Sequence, residues 1–229
     1  MIYPKLVEKL REVSESVVLS KKSLIAYQGE IPRYGYYLLD GAVKAYVIGS
    51  DGSEMIADIF ARNSLLPVAW LNRTAPTAIF YYETLNEVRV LKFSRQNFES
   101  LVADDEEVKS DYMRYMANSQ TSLLFRNAGL CQSNAEYKVC HALYFLIFRY
   151  GLQRTDGKFM IPVPLTHETI ANFIGQSREN TAKTIKKLSD EKLFEYESKT
   201  YTVDLPKLED YLGERSFREL ISQPNLGLQ

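Results

Sequence analysis

Cysteine is scarce in this chain of 229 residues, with Cys131 and Cys140 as the only two. Two thiols cannot supply a disulfide framework or a four-cysteine cluster site. Histidine is as rare, His141 and His167 alone, and these four residues show no metal-ligand spacing, so neither a metal nor a cofactor is expected. A Gly-rich phosphate loop and a Ser/His/Asp set are missing too, which speaks against an enzyme. No apolar run approaches about 20 residues, and no basic, apolar, small-residue series opens the chain. Membrane spanning and secretion are therefore not expected, and the protein is placed in the cytoplasm. An excess of charge of one sign is also absent. With 28 Lys+Arg against 29 Asp+Glu the net charge is −1, which argues against nucleic-acid binding by bulk electrostatics. Aromatics are the exception: 16 Tyr, 11 Phe and 1 Trp are available to build a core or a ligand pocket.

The chain changes character twice. Gly29, the Asp40-Gly41 pair and the Asp51-Gly52 pair stand 12 and then 11 residues apart, the beat of an all-β barrel or sandwich. Strand-like runs lie around them at Tyr36–Leu39, Val43–Ile48, Met55–Phe60, Ala78–Tyr82 and Val88–Phe93. From Asp104 the pattern becomes helical. Asp104-Asp105-Glu106-Glu107 suits the positive end of a helix macrodipole, and no Pro or Gly follows until Gly129. One long helix is predicted, roughly Glu106 to Cys131. Tyr112, Met116, Ser119, Leu123, Arg126 and Leu130 recur along it at alternating spacings of four and three. This stripe either pairs with a second copy of the chain or packs on the β domain. Ser133 or Asn134 then caps a further apolar helix, Glu136–Arg149, which Gly151 ends as a C-cap glycine.

The stretch Thr166–Leu188 carries the chemistry. Thr166 can cap a short helix from Glu168 to Phe173, Gly175 supplies the turn, and Ser177 caps a second helix, Arg178–Leu188. Ala171 gives the small residue that two crossing helices need. Ile170, Ile174, Ile185 and Leu188 face inward. An ordinary αα-hairpin would share these features, but the outward face of the second helix holds Arg178, Glu179, Lys183, Lys186 and Lys187. Between Gln176 and Lys187 there are four positive charges and one negative, so this segment is basic in a chain that is not. Two short strand patterns follow, Leu193–Glu197 and Thr200–Asp204, about a Ser198-Lys199 turn. They read as a wing whose tip lysine meets a phosphate or simply stays solvated.

Taken together, the segments GEIPRYGYYLLDGAVKAYVIGSDGSE (Gly29–Glu54) and LTHETIANFIGQSRENTAKTIKKL (Leu165–Leu188), separated by a long helix, resemble the CRP/FNR family of transcription regulators. The resemblance implies an α+β protein in three parts. These are a cyclic-nucleotide-binding-like β-roll at 1–103, a long dimerisation helix at 104–132 and a winged helix-turn-helix at 133–229. It also implies a homodimer, a palindromic double-stranded DNA operator and a contact with RNA polymerase. By position, Arg178, Glu179 and Lys183 are the residues that touch base edges, while Ser177, Lys186, Lys187 and Lys199 position the backbone. A guanidinium matches O6 and N7 of guanine, and a carboxylate accepts from cytosine N4. Thr181 and Thr184 stand where the family carries inward aliphatics, so each hydroxyl is expected to seek a carbonyl one turn back. The dimer seam would comprise Tyr112, Met116, Ser119, Leu123 and Leu130. The rival reading is an interaction module with a decayed helix-turn-helix.

The cyclic-nucleotide branch carries a Gly-Glu-Leu segment and an Arg-Ser pair for the ribose and phosphate. The matching stretch here is Asn63–Trp70 and then Ala75–Ala78, with neither motif and only Arg73 as a cation, so cyclic AMP is not expected. The polar pair that would meet the adenine aligns with Leu123-Leu124. Two cysteines exclude the iron–sulfur branch, and both histidines lie in the DNA-binding half, away from any β-roll haem. Phe60, Trp70, Leu71, Tyr81 and Tyr82, with Leu123 and Leu124, form either an effector pocket or plain β-roll core. The Asn-Ser-Leu segment also resembles the halophenol-sensing (CprK-type) branch, but the basic residue following it there is replaced near Val68. An aromatic or apolar weak acid is therefore the expected small-molecule effector. Cys131 at the end of the long helix is either a redox bridge between subunits or a small buried hydrophobe. The hinge is expected near Ser133-Asn134.

Overall fold

The computed structural model describes residues 3–213; the last residues of the third predicted part, 214–229, lie outside them. Two compact units divide between Gln120 and Thr121, inside the long helix. The first opens with α1 (Pro4–Val13) and continues through β1 (Glu15–Leu19), β2 (Leu24–Ala26), β3 (Gly35–Asp40), β4 (Val43–Ile48) and β5 (Glu54–Phe60). Then come β6 (Leu65–Leu66), α2 (Val68–Leu71), β7 (Tyr81–Thr84), β8 (Val88–Phe93), α3 (Arg95–Asp104) and the start of α4 (Glu106–Leu130). Its strands form two four-stranded antiparallel sheets, ordered β1-β8-β3-β6 and β2-β7-β4-β5.

Alternation along β3 and β8 explains how the roll is held. Leu38, Val88 and Val90 point between the sheets, where they meet Val43, Ala45 and Tyr82. Their neighbours Tyr37, Leu91 and Phe93 point the other way, into a second cluster with Leu6, Leu10, Phe98 and Tyr112. The β3 and β8 centre of that sheet thus packs apolar side chains on both faces, which a period of two permits only when both sets of alternate residues are apolar. Gly41 turns the β3–β4 hairpin at φ +82°, and a Cβ there would stand 2.4 Å from the Glu87 carbonyl oxygen. The predicted strand at Ala78–Tyr82 is displaced: pairing starts only at Tyr81. Ala78 instead exchanges backbone hydrogen bonds with Gly29 and Glu30, both at 2.9 Å, so it bridges two loops.

The second unit holds the end of α4, α5 (Ala135–Tyr150), β9 (Leu152–Gln153), β10 (Phe159–Met160), α6 (His167–Ile174), α7 (Arg178–Asp190), β11 (Phe194–Glu197), β12 (Thr200–Val203) and α8 (Leu205–Leu212). Its small sheet is ordered β11-β12-β10-β9. Of the two candidates, Asn134 caps α5, its Oδ1 accepting from the Tyr137 N–H at 2.8 Å. Gly151 is the C-cap as expected, its N–H donating to the Ile147 carbonyl at 2.7 Å. Its φ is −57°, and glycine is needed because a Cβ would lie 2.6 Å from the Ile147 carbonyl oxygen.

Within the first unit, α4 anchors the first helix. Asp105 opens α4 by accepting from Glu107 and Val108 at 2.9 and 3.1 Å. Six residues later, the buried Asp111 accepts from the backbone N–H groups of Lys5 and Leu6 at 2.8 and 3.1 Å. These are first-turn donors of α1, which its own backbone cannot satisfy. Replacing Asp111 by Ala should therefore cost roughly 2–3 kcal/mol in urea denaturation. Removing the exposed guanidinium that also meets Asp111, with Arg114→Ala, should cost under about 1 kcal/mol. Equal losses from the two would refute this account of the anchor.

Candidate nucleic-acid interface and effector region

Capping chemistry builds the helix-turn-helix. Thr166 accepts from the Thr169 N–H at 3.0 Å and starts α6. Gly175 ends it at φ +66°, ψ +45°, and Ser177 accepts from the Asn180 N–H at 3.2 Å to start α7. Ile170, Ala171, Ile174, Ile185 and Leu188 are buried as expected, and so are Thr181 and Thr184. The Thr181 hydroxyl, however, finds no hydrogen-bond partner among the described residues, in place of the carbonyl anticipated for it. The Thr181 hydroxyl is thus buried without compensation.

The opposite face of α7 is open. Ser177, Arg178, Glu179, Lys183 and Lys186 are all exposed. Lys187 is set apart from them: its ammonium bonds the Glu136 carboxylate on α5 at 2.6 Å, and Tyr211 of α8 donates to the same carboxylate at 2.5 Å. These partners hold the Glu136 carboxyl below the usual carboxylate range. Lys187 thus fastens α7 to its neighbours. In the wing, Ser198 and Lys199 both have positive φ, 50° and 69°, as a two-residue primed turn demands. The exposed Lys199 sits at the tip, and its carbonyl accepts from Leu165 at 2.8 Å, which ties the tip to the entry of the helix-turn-helix. Sequence reasoning missed that bond, and also the packing of His167 on Tyr196, with ring centroids 4.8 Å apart. No periodic pattern signals either one.

The effector candidates do not converge. Phe60 and Tyr82 lie with the cluster between the sheets, 6.1 Å apart. Trp70 and Leu71 belong to the helix-side cluster. Tyr81, next in chain to Tyr82, must take the other face of its strand, where it stacks on Tyr46 at 5.3 Å. Leu123 and Leu124 are exposed on α4. What meets α2 instead is a pair of tyrosines from α4. The Tyr115 hydroxyl accepts from the Leu65 N–H at 3.0 Å and donates to its carbonyl at 3.2 Å, while Tyr112 bonds Asn72. Burial pushes the Tyr112 phenol up to about 12. Arg73 is spent on Glu99 in a two-pronged pair at 2.6 and 2.8 Å. The Trp70 indole N–H, buried, has no partner among the described residues.

Two family models match the chain in the order the fold shows, a cyclic nucleotide-binding domain over residues 16–105 and a Crp-like helix-turn-helix domain over 137–211. The chain belongs to the CRP/FNR family. It is 23% identical over 189 residues to the global nitrogen regulator of Nostoc sp., covering 81% of this chain and 83% of that one. It is also 23% identical to the cAMP-activated global transcriptional regulator CRP of Pasteurella multocida, covering 80% and 86%. Among solved structures, FixK2 of Bradyrhizobium japonicum superposes with a TM-score of 0.72 at 17% identity, over 86% of this chain and 96% of that one. CprK complexed with OCPA gives a TM-score of 0.63 at 19% identity, over 92% and 98%. The protein is thus a CRP/FNR-type DNA-binding transcription regulator with a domain of the ligand-binding kind, and not an enzyme. No helix among the described residues is long and apolar enough to cross a membrane.

In a CRP/FNR regulator the long helix has faces to account for. Tyr112 is only 8% exposed, and Met116 packs against the helix-side cluster. Met113 and Leu124 are 66% and 65% exposed, and Ala117, Gln120, Asn127 and Cys131 are open with them. These six keep the alternating four-and-three spacing of the predicted seam, moved by one residue. Cys131 is exposed, so the buried-hydrophobe alternative falls to Cys140, whose thiol burial pushes up to about 12.

Burial also lowers the pKa of His141 and of His167, the latter helped by the charge of Arg178. A histidine kept neutral when folded takes up a proton more readily when unfolded, so its contribution to stability is lost as pH falls below about 6.5. The urea midpoint should drop between pH 7 and pH 5, and His141→Gln should flatten that slope. An unchanged wild-type midpoint across this window would contradict it.

Proposed function

We propose that the protein is a cytoplasmic homodimer that reads a palindromic operator with the exposed N-terminal half of α7 and works with RNA polymerase. The observation that carries this reading is the constellation Arg178, Glu179, Lys183 and Lys186 on one open face, held by the Ser177 cap. Arg178 recognises guanine and Glu179 the cytosine of one G·C pair in each half-site, with Lys183 one turn on. Ser177, Lys186 and Lys199 engage phosphates. Lys187 serves at second hand, by holding α7 to α5. The roll at 1–103 is the sensor part, 104–132 the dimer helix and 133–229 the DNA-binding part. The second copy covers the stripe Met113, Ala117, Gln120, Leu124, Asn127 and Cys131, since heptad spacing with open apolar residues is what a parallel helix pair requires.

For control, we propose a small aromatic or apolar weak acid that acts on the roll where α2 meets α4. A second reading, an effector-independent regulator, is favoured by one specific observation: Tyr112 and Tyr115 already bridge α4 to the α2 region. Native mass spectrometry of the purified dimer separates the two, through a co-purified small molecule or its absence. A redox response through Cys131 would appear as an oxidant-dependent change in operator affinity.

The DNA reading is tested by selection from random duplexes followed by anisotropy. A palindrome should emerge, with binding that weakens steeply as salt rises. Arg178→Ala should cost roughly 1–3 kcal/mol of discrimination between the operator and a scrambled duplex. Failure to enrich any site across a ligand panel would favour the interaction-module alternative. Leu124→Glu should convert the dimer to monomer in sedimentation, whereas a dimer that persists would remove α4 from the interface.

A further inference from the structure

The last turns of α4 are built into the DNA-binding unit. Phe125 stacks on Tyr144 and Phe148 of α5, with ring centroids 5.5 and 6.2 Å apart. Gly129 lets α5 approach closely, because a Cβ there would stand 2.8 Å from the His141 Cβ. Between them, Arg126 reaches the helix-turn-helix itself. Its Nη2 donates to the Phe173 carbonyl at 3.1 Å, and its guanidinium carbon lies 4.4 Å from the centre of the Phe173 ring. Phe173 belongs to the final turn of α6, whose carbonyls have run out of helical N–H partners and carry the negative end of the helix dipole. A planar cation that bonds the carbonyl and lies on the ring of one residue fixes both distance and angle, which a lysine would not do. Two residues beyond Phe173, Gly175 turns the chain into α7. Arg126 is therefore a rivet between the end of α4 and the turn of the helix-turn-helix.

We infer that Arg126 is a positioning residue that sets which half-site spacing the dimer accepts. This rests on the homodimer and palindrome proposed above. Inserting one base pair between half-sites rotates one of them by roughly 35° relative to the other, given about 10 base pairs per turn. Heads held at α6 as well as α5 resist that rotation, whereas heads held to α4 only through Phe125 and Gly129 yield to it more readily. Base reading by Arg178 lies on the far side of the turn and is untouched by the rivet.

The test compares wild type, Arg126→Ala and Arg126→Lys on three duplexes carrying the selected operator with its natural spacing, one pair fewer and one pair more. A fourth duplex changes the G·C pair assigned to Arg178. Wild type should prefer the natural spacing by about tenfold or more, a penalty of the order of one mismatched base pair. Arg126→Ala should fall to within about threefold across the three spacings while its penalty for the changed base pair stays at the wild-type value. Arg126→Lys, which keeps the charge and a donor but not the flat stack, should lie between. Both variants retaining the wild-type spacing preference would overturn the inference. So would a parallel loss of base discrimination, which would show Arg126 merely supporting the fold of α6 and α7. A wild type that selects a palindrome yet ignores spacing overturns this inference alone, and one that selects no palindrome overturns the proposed function with it.

Discussion

Everything in this chain hangs on how one helix divides its circumference. At 25 residues, α4 runs for roughly 37 Å and presents a new face with each residue, about 100° further round. Asp111, Tyr112 and Tyr115 occupy one face in the first unit, with polar atoms bonded to α1, to Asn72 and to the β6 backbone. In the second unit, Phe125, Arg126 and Gly129 are taken up by α5 and α6. What is left over includes Met113, Ala117, Gln120, Leu124 and Asn127, a stripe with heptad spacing and two large open apolar side chains. The dimer proposal is the consequence of that division.

The same reasoning explains how a chain of net charge −1 serves DNA. Acids slightly outnumber basic residues over the whole chain, but on α7 the inward face buries Thr181, Thr184, Ile185 and Leu188 while the outward face collects Arg178, Lys183 and Lys186. Affinity built on a few placed charges depends on geometry more than on bulk attraction, so the supports of α7 matter as much as the residues that read. Lys187 with Glu136, the Leu165 bond to the wing tip and Arg126 on Phe173 are all supports of this kind. Each acts by reducing the freedom of the reading head before it meets its partner.

In the first unit, the chain's own side chains occupy the region around β6 and α2. A tyrosine hydroxyl both accepts from and donates to the Leu65 backbone, so the N–H and carbonyl of that residue are already engaged. Arg73, the one cation of the stretch, is neutralised by Glu99.

Local chemistry was legible from residue types alone. The Ser177, Thr166 and Asn134 caps, the Gly41 and Gly175 turns, the wing and the buried face of the helix-turn-helix all follow from short-range rules, because the atoms that satisfy one another lie within four residues. The β-roll and the reading helix were legible for the same reason, since period and turn spacing are local properties. Phase was not. Apolar residues stand at adjacent positions in Tyr112-Met113 and Leu123-Leu124, so the pattern along α4 supports two seams one residue apart, and it is burial against Phe98 and Asn72 that takes up Tyr112 and leaves Met113 open. Nor was convergence. Phe60, Trp70, Tyr81 and Tyr82 are close in sequence, but strand alternation and the two-faced sheet send them to three different surroundings. Pairings such as Asp111 with the first turn of α1, or Arg126 with Phe173, join residues about 105 and 47 positions apart. Such contacts leave no periodic trace in a single sequence, because what selects them is the packing of elements that are distant along the chain.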